Sequence, residues 1–204
     1  NDYPELIAAP KEYEEALYQR VLEYVEAFPR ASENETLFLN LRQLSCTFLE
    51  TRDSVPYKEF LLKLQMHFTP EIYVHSKVVA DAAVAFCRIV MEEEPGFFDD
   101  IDSIRGIGDP EEKKREVLRF ARECGMLHDV GKISFMNLYS QAARQWFEEE
   151  YEMAHLHTLV GSALLAARKS TSRYAPVALG HHSWYDGSHG YPKDYRRLEC
   201  PCRQ

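Results

Sequence analysis

A chain of 204 residues with 24 Lys plus Arg against 33 Asp plus Glu, a net charge of -9, lacks the cationic surface that holds a nucleic-acid polymer. Its apolar runs fall far short of the roughly 20 residues of a membrane-spanning helix, and no charged start followed by an apolar segment marks a secretory signal. The length suits one domain with a substantial core, or one domain with a smaller helical extension.

The first residue is Asn1 rather than Met, as in a processed product or an excised piece. From residues 10 to 28, Tyr13, Ala16, Leu17, Val21, Val25 and Phe28 recur at helical spacing beneath an acidic face, and Pro29 ends the segment. Leu37, Leu41, Leu44 and Phe48 predict a second helix. Tyr57, Phe60, Leu61, Leu64 and Phe68 predict a third, which stops before Pro70. None of these carries visible chemistry, and His67 reads as structural. The next helix begins near Glu71. There Val78, Val79, Ala82, Phe86, Ile89 and Val90 share a stripe with His75, which predicts an imidazole facing the core from the first turn.

Residues 95 to 108 form a loop rich in Gly, Asp and Pro. Asp109-Pro110-Glu111-Glu112 then starts a helix, with Asp as N-cap, Pro at the first position and Glu at the third. That helix runs through Val117, Ala121 and Cys124 to His128, which points inward from the same stripe, and Gly131 permits the turn beyond. Residues 133 to 150 are aromatic and acidic, in short helical pieces, with Glu148 to Glu150 forming a solvated face. His157 and Gly161 follow, with Val160, Leu164 and Leu165 continuing an apolar stripe; the glycine lets another backbone approach. His155 points away from that face, so His157 is the candidate ligand and His155 is not. Pro176 opens a short helix whose last turn carries His181 and His182. Adjacent histidines on a helix splay about 100° apart, so both reach one centre only if it is as wide as a pair of ions roughly 3.5 to 4 Å apart. Trp184 to Pro192 is a glycine-rich aromatic loop suited to stacking on a planar base.

Three of the five cysteines (Cys46, Cys87, Cys124, Cys200, Cys202) sit within apolar helical patterns, as buried thiols do in a reducing compartment, and the expected location is the cytoplasm. Cys200-Pro201-Cys202 lacks the two-residue spacer of zinc sites.

The chemistry centres on His128-Asp129-Val130-Gly131-Lys132. Adjacent His and Asp offer a neutral imidazole and a carboxylate to one cation, the second carboxylate oxygen allows Asp129 to bridge two ions, and Lys132 adds a positive point charge beside them. His75, His157 and His181-His182 lie on other predicted helices, and no other cluster of potential ligands competes with them.

The series His75, His128-Asp129-Val130-Gly131-Lys132, His157 with Gly161, His181-His182, Asp186-Gly187 and Gly190-Tyr191-Pro192 resembles the HD-GYP family, a branch of the HD superfamily of metal-dependent phosphohydrolases. The resemblance covers roughly residues 71 to 195. It implies an all-α HD-domain helical bundle over 71–204, preceded over 1–70 by a small N-terminal helical region or a linker from an upstream module. It also implies a centre of two divalent metal ions, iron or manganese, and hydrolysis of cyclic di-GMP to linear pGpG and then GMP. By the same resemblance His75, His128, Asp129, His157, His181 and His182 are the metal ligands, and Asp129 and Lys132 are the catalytic residues. Lys132, Asp186, Gly190, Tyr191 and Pro192 would meet substrate, and the Gly-Tyr-Pro loop would also contact a signalling partner protein. Two differences stand in the loops. His189 is inserted between Ser188 and Gly190, and Ile133 to Arg144 lacks the family's usual proline and glycine. The family's further Asp ligand, in a helix after the signature loop, has no counterpart before Gln204, so the chain is expected to be the front part of a longer domain, with metal binding and turnover reduced in this chain.

Two other functions fit parts of this pattern. One is a signalling module that binds nucleotide or a partner without turnover, favoured by the absent Asp and by His189. The other is an HD-type mononucleotide phosphohydrolase, which uses a single-metal His, His-Asp, Asp set and has no need of His157, His181 and His182. Those three histidines favour the cyclic dinucleotide.

Overall fold

The computed structural model describes residues 11–27, 56–135, 138, 144–184 and 186–193. Among these the chain is all-α, with one isolated backbone bridge between Ser183 and Gly190 and no strand. The helix expected around Leu37 to Phe48, and Cys46, Cys200 and Cys202, lie outside the described residues.

Helix α1 (Lys11–Ala27) buries Tyr18, Val21 and Leu22, while Ala16 of the expected stripe is exposed. Helix α2 (Tyr57–Phe68) follows its pattern closely: Tyr57, Phe60, Leu61, Leu64 and Phe68 are all buried. Each such side chain contributes about 1.5–3 kcal/mol by leaving water. Thr69 alone separates α2 from α3 (Pro70–Glu93), where Pro70 takes the first helical position and needs no donor. The Thr69 hydroxyl donates to the carbonyl of Gln65, closing the end of α2.

The stripe expected to bury α3 faces outward instead. Val78, Phe86 and Ile89 are exposed, and the buried residues are Ser76, Ala80 and Val84. The reason lies in α4 (Pro110–Leu127), whose Gly125 crosses α3 so closely that a Cβ there would lie 2.4 Å from the Cα of Ala80. Only small side chains fit such a crossing, so the small-residue face of α3 turns inward. His75 therefore sits at the edge of the packed face, not within it.

Helix α4 begins as its sequence predicts, with the Asp109 carboxylate accepting from the Glu112 amide at 3.0 Å. After Leu127 the chain passes through His128 and Asp129 into a 3₁₀ turn, Val130–Phe135. Helix α5 (Glu148–His155) is held at its start by Glu150, which accepts from the Phe147 amide and pairs with Arg144. Leu156 joins it to α6 (His157–Ala166), and a second 3₁₀ turn (Ser172–Tyr174) leads into α7 (Ala175–Gly180). A shared core of Phe60, Leu61, Leu64, Leu127, Val130, Ile133, Leu165 and Ala178 lies beneath the end of α4 and packs α2 against the 3₁₀ turn, α6 and α7. Gly131 is buried not for a turn conformation but for contact: a Cβ there would lie 2.0 Å from the carbonyl oxygen of His157 and 2.5 Å from the amide of Gly161. This glycine pair fixes the His-Asp segment against α6. Among the described residues no helix is long and apolar enough to cross a membrane.

Candidate metal centre

The ends of four helices converge on Asp129. His75 projects from the second turn of α3, His128 closes α4, His157 opens α6, and His181 and His182 follow the last turn of α7. The Ala80–Gly125 crossing places the rings of His75 and His128 with centroids 5.4 Å apart, and the Gly131–Gly161 contact sets Asp129 beside His157.

The Asp129 carboxylate is 1% exposed, and its two oxygens face different histidines. Oδ2 lies 3.2 Å from His128 Nε2, 3.7 Å from His75 Nε2 and 2.7 Å from Lys132 Nζ. Oδ1 lies 3.2 Å from His157 Nε2 and 3.4 Å from His181 Nε2. Two sets of potential metal ligands result, His75 with His128 and Asp129, and Asp129 with His157, His181 and His182. All six residues expected as ligands are thus brought together, and they share one carboxylate.

The hydrogen bonding of the rings sets which nitrogens face Asp129. His128 Nδ1 lies 2.8 Å from the carbonyl oxygen of Gly125, His157 Nδ1 lies 2.6 Å from that of Ala154, and His181 Nδ1 lies 2.9 Å from that of Ala178. Each carbonyl stands three residues earlier, in the last turn of a helix where carbonyls lack an intrahelical donor. A carbonyl only accepts, so each Nδ1 carries a proton, and a ring with no second proton presents its bare Nε2 to Asp129. Lone pairs then face lone pairs: His157 Nε2 is 3.3 Å from His181 Nε2, and the buried Asp129 Oδ1 has no well-aligned donor. A buried carboxylate oxygen ringed by acceptor nitrogens is costly unless a cation lies among them. The donor set, imidazoles plus one carboxylate, suits a divalent metal ion.

Electrostatics bear on the candidate ligands as well. Burial pushes the Asp129 carboxyl up; protons on the facing nitrogens of His128, His157 and His181, the alternative to a cation among them, would hold it well below the usual carboxylate range. Burial, with the neighbouring histidines, pushes His181 down and His182 down to about 3, so both rings stay neutral at physiological pH.

The loop expected to meet substrate is held against this centre. Gly190 has φ +95°, and a Cβ there would lie 2.0 Å from the His182 carbonyl oxygen, so no other residue fits. Tyr191 stacks on His182 with centroids 4.4 Å apart. Asp186 accepts from the amide and hydroxyl of Ser188 and shapes the turn, while the inserted His189 sits edge-on to exposed Trp184. His155, set aside on sequence grounds, stacks on Tyr191 at 4.0 Å. Nothing local to residue 155 announces that contact, because its partner lies 36 positions away. Beyond the centre, an apolar cavity of about 690 Å³ opens between α3 and α4, lined by Val79, Cys87, Ile104, Val117, Phe120 and Cys124, with His75, His128 and Lys132 at one end. The cavity, too, has no signature in the sequence.

An all-α fold with a buried histidine–aspartate cluster of this kind defines a candidate metal-dependent protein. The chain is similar to a cyclic di-GMP phosphodiesterase from Thermotoga maritima, with 35% identity over 98 residues, an alignment covering 41% of this chain and 26% of that protein. The chain thus spans about a quarter of the length of the curated relative it matches. No family model matches the sequence, and no solved structure matches the fold.

Proposed function

We propose that the protein is a metal-dependent phosphodiesterase of the HD-GYP type that hydrolyses a cyclic dinucleotide, cyclic di-GMP, to linear pGpG and then GMP. One observation carries the reading: two sets of ligands share the single buried carboxylate of Asp129, one oxygen to each side. The similarity to a cyclic di-GMP phosphodiesterase supports the same choice of substrate.

His75, His128 and Asp129 would hold one divalent ion, and Asp129, His157, His181 and His182 the other. When bound, such a pair supplies Lewis acidity to a phosphoryl oxygen and lowers the pKa of water towards about 7. The protein's own residues do the rest. The carbonyls of Gly125, Ala154 and Ala178 keep three rings in the tautomer that aims Nε2 inward. Lys132, whose ammonium lies 2.7 Å from Asp129 Oδ2, stands at the rim, where it pairs with a phosphate oxygen and stabilises charge that grows during cleavage.

The test is metal analysis alongside turnover. Protein loaded anaerobically with Fe²⁺ or Mn²⁺ is expected to hold two ions and to convert cyclic di-GMP to pGpG, followed by chromatography. Two bound ions with no conversion would refute the activity, and no bound ion would refute the centre itself.

A further inference from the structure

We infer that His155 is a positioning residue of the metal centre, clamping Tyr191 against His182 and so fixing where the His182 ring points. The inference rests on the metal-centre reading above and adds to it a residue outside the ligand set.

His182 differs from the other ligands of α4, α6 and α7. His128, His157 and His181 are each locked by an Nδ1 bond to a backbone carbonyl, whereas among the described residues ring contacts alone hold the His182 ring. Its flat contact is with Tyr191, centroids 4.4 Å apart and planes 22° from parallel. His155 lies against Tyr191 in the same way, at 4.0 Å and 20°. Two rings cannot share one face of a third at such distances without overlapping each other, so the imidazoles sandwich Tyr191. Both faces of the tyrosine are taken, which leaves its edge and hydroxyl, not its face, to anything else.

The outer member of the sandwich stands on a firm base. His155 ends α5, one residue after Ala154, whose carbonyl receives Nδ1 of the ligand His157. The inner end is tied as well: the Tyr191 amide donates to the His182 carbonyl at 3.4 Å, and the Ser183 hydroxyl donates to the Tyr191 carbonyl at 3.3 Å. The stack therefore references His182 to the same α5–α6 junction that holds His157. A stacked ring performs for His182 the orienting role that a hydrogen bond performs for its neighbours.

The experiment measures Mn²⁺ affinity from the paramagnetic resonance signal of the free ion, with circular dichroism as the check on folding. His155 is exposed, so His155→Ala is expected to keep its helix content while weakening the more loosely held ion roughly 2- to 10-fold. His155→Phe, which keeps a flat ring, is expected to restore the affinity to within about twofold, since ring stacking does not depend on the imidazole nitrogens. After Tyr191→Leu, adding His155→Ala is expected to change nothing further, because the link has already been cut. A His155→Ala protein that binds Mn²⁺ as well as the parent overturns the inference while leaving the metal centre standing. So does a His155→Phe protein as weak as the Ala variant, which would assign the effect to the imidazole nitrogens. A parent chain that binds no Mn²⁺ overturns the metal-centre reading and this inference together.

Discussion

Replacing Gly131 by Ala tests how the His-Asp segment is fixed. The added methyl would lie 2.0 Å from the His157 carbonyl oxygen, 2.5 Å from the Gly161 amide nitrogen and 2.9 Å from the Gly161 Cα. All three are backbone atoms, so no rotamer change relieves the overlap. The 3₁₀ turn must withdraw from α6 by roughly an ångström, and overpacking of this kind costs about 1–3 kcal/mol or more. Gly161→Ala is the graded comparison, because its methyl would meet the Gly131 amide at 3.0 Å and the Ala178 methyl at 3.7 Å, so smaller shifts suffice. Gly108→Ala is the blank, with nothing within 4 Å of the new carbon. Urea unfolding followed by circular dichroism is expected to rank them Gly131→Ala far below Gly161→Ala, with Gly108→Ala within about 0.5 kcal/mol of the parent. Since the withdrawal also separates Asp129 from His157, Gly131→Ala should lose metal affinity as well. Equal midpoints for Gly131→Ala and Gly108→Ala would refute the claim that this contact sets the site.

Asp129→Ala is expected to abolish metal binding while leaving most helix intact, and equal metal content in parent and variant by elemental analysis would remove Asp129 from the centre. Lys132→Ala should lower turnover of saturating cyclic di-GMP at least tenfold (~1.4 kcal/mol) without emptying the site; unchanged turnover would exclude a catalytic role, and loss of metal with activity would make Lys132 a structural prop. Burial pushes the Cys124 thiol up to about 12, so mass-spectrometric mapping after iodoacetamide treatment at pH 8 should find Cys124 unlabelled in the folded chain, and labelling as fast as in urea would contradict its burial. The Arg144 guanidinium, with the Phe147 amide, holds the Glu150 carboxyl down to about 2 from its ordinary 4.5. Folding depresses this group, so its support of the α5 start is complete above 4.5 and disappears as pH falls towards 2. A carboxyl resonance of Glu150 titrating near its ordinary value would show that the pair does not form in solution.

Much of this was legible in the sequence where the cause is local. The i, i+3, i+4 pattern of Tyr57 to Phe68 predicts which face is buried because any packed helix must hide such a stripe, and Asp109-Pro110 announces a helix start through backbone donors it satisfies itself. The histidines and Asp129 were legible as candidates because the residue types able to hold a metal are few, and the fold brings them together. The facing of α3 was not, since it depends on Gly125 of another helix, 45 positions from Ala80, accepting only small partners. His75 shows both sides: its residue type announced a candidate ligand, while its expected place within the core gave way to a side chain 55% exposed whose Nε2 still lies 3.7 Å from Asp129. The expectation that Gly131 serves a turn had the right residue and a different cause, contact with α6.

The division of labour between the two oxygens of Asp129 gives the candidate centre two sides. His75 and His128 stand on the Oδ2 side and His157 and His181 on the Oδ1 side, and the halves are carried by different pairs of helices. A substitution among the histidines would remove a candidate ligand from one side only, although the rings of His128 and His181 touch across the divide with centroids 4.9 Å apart. Among the described residues, Asp129 alone belongs to both, so it has no conservative replacement: a longer glutamate would displace both oxygens, and an asparagine would exchange one for a donor. Within the proposed centre, position 129 is therefore the one at which a single change would reach both sets of candidate ligands among the described residues.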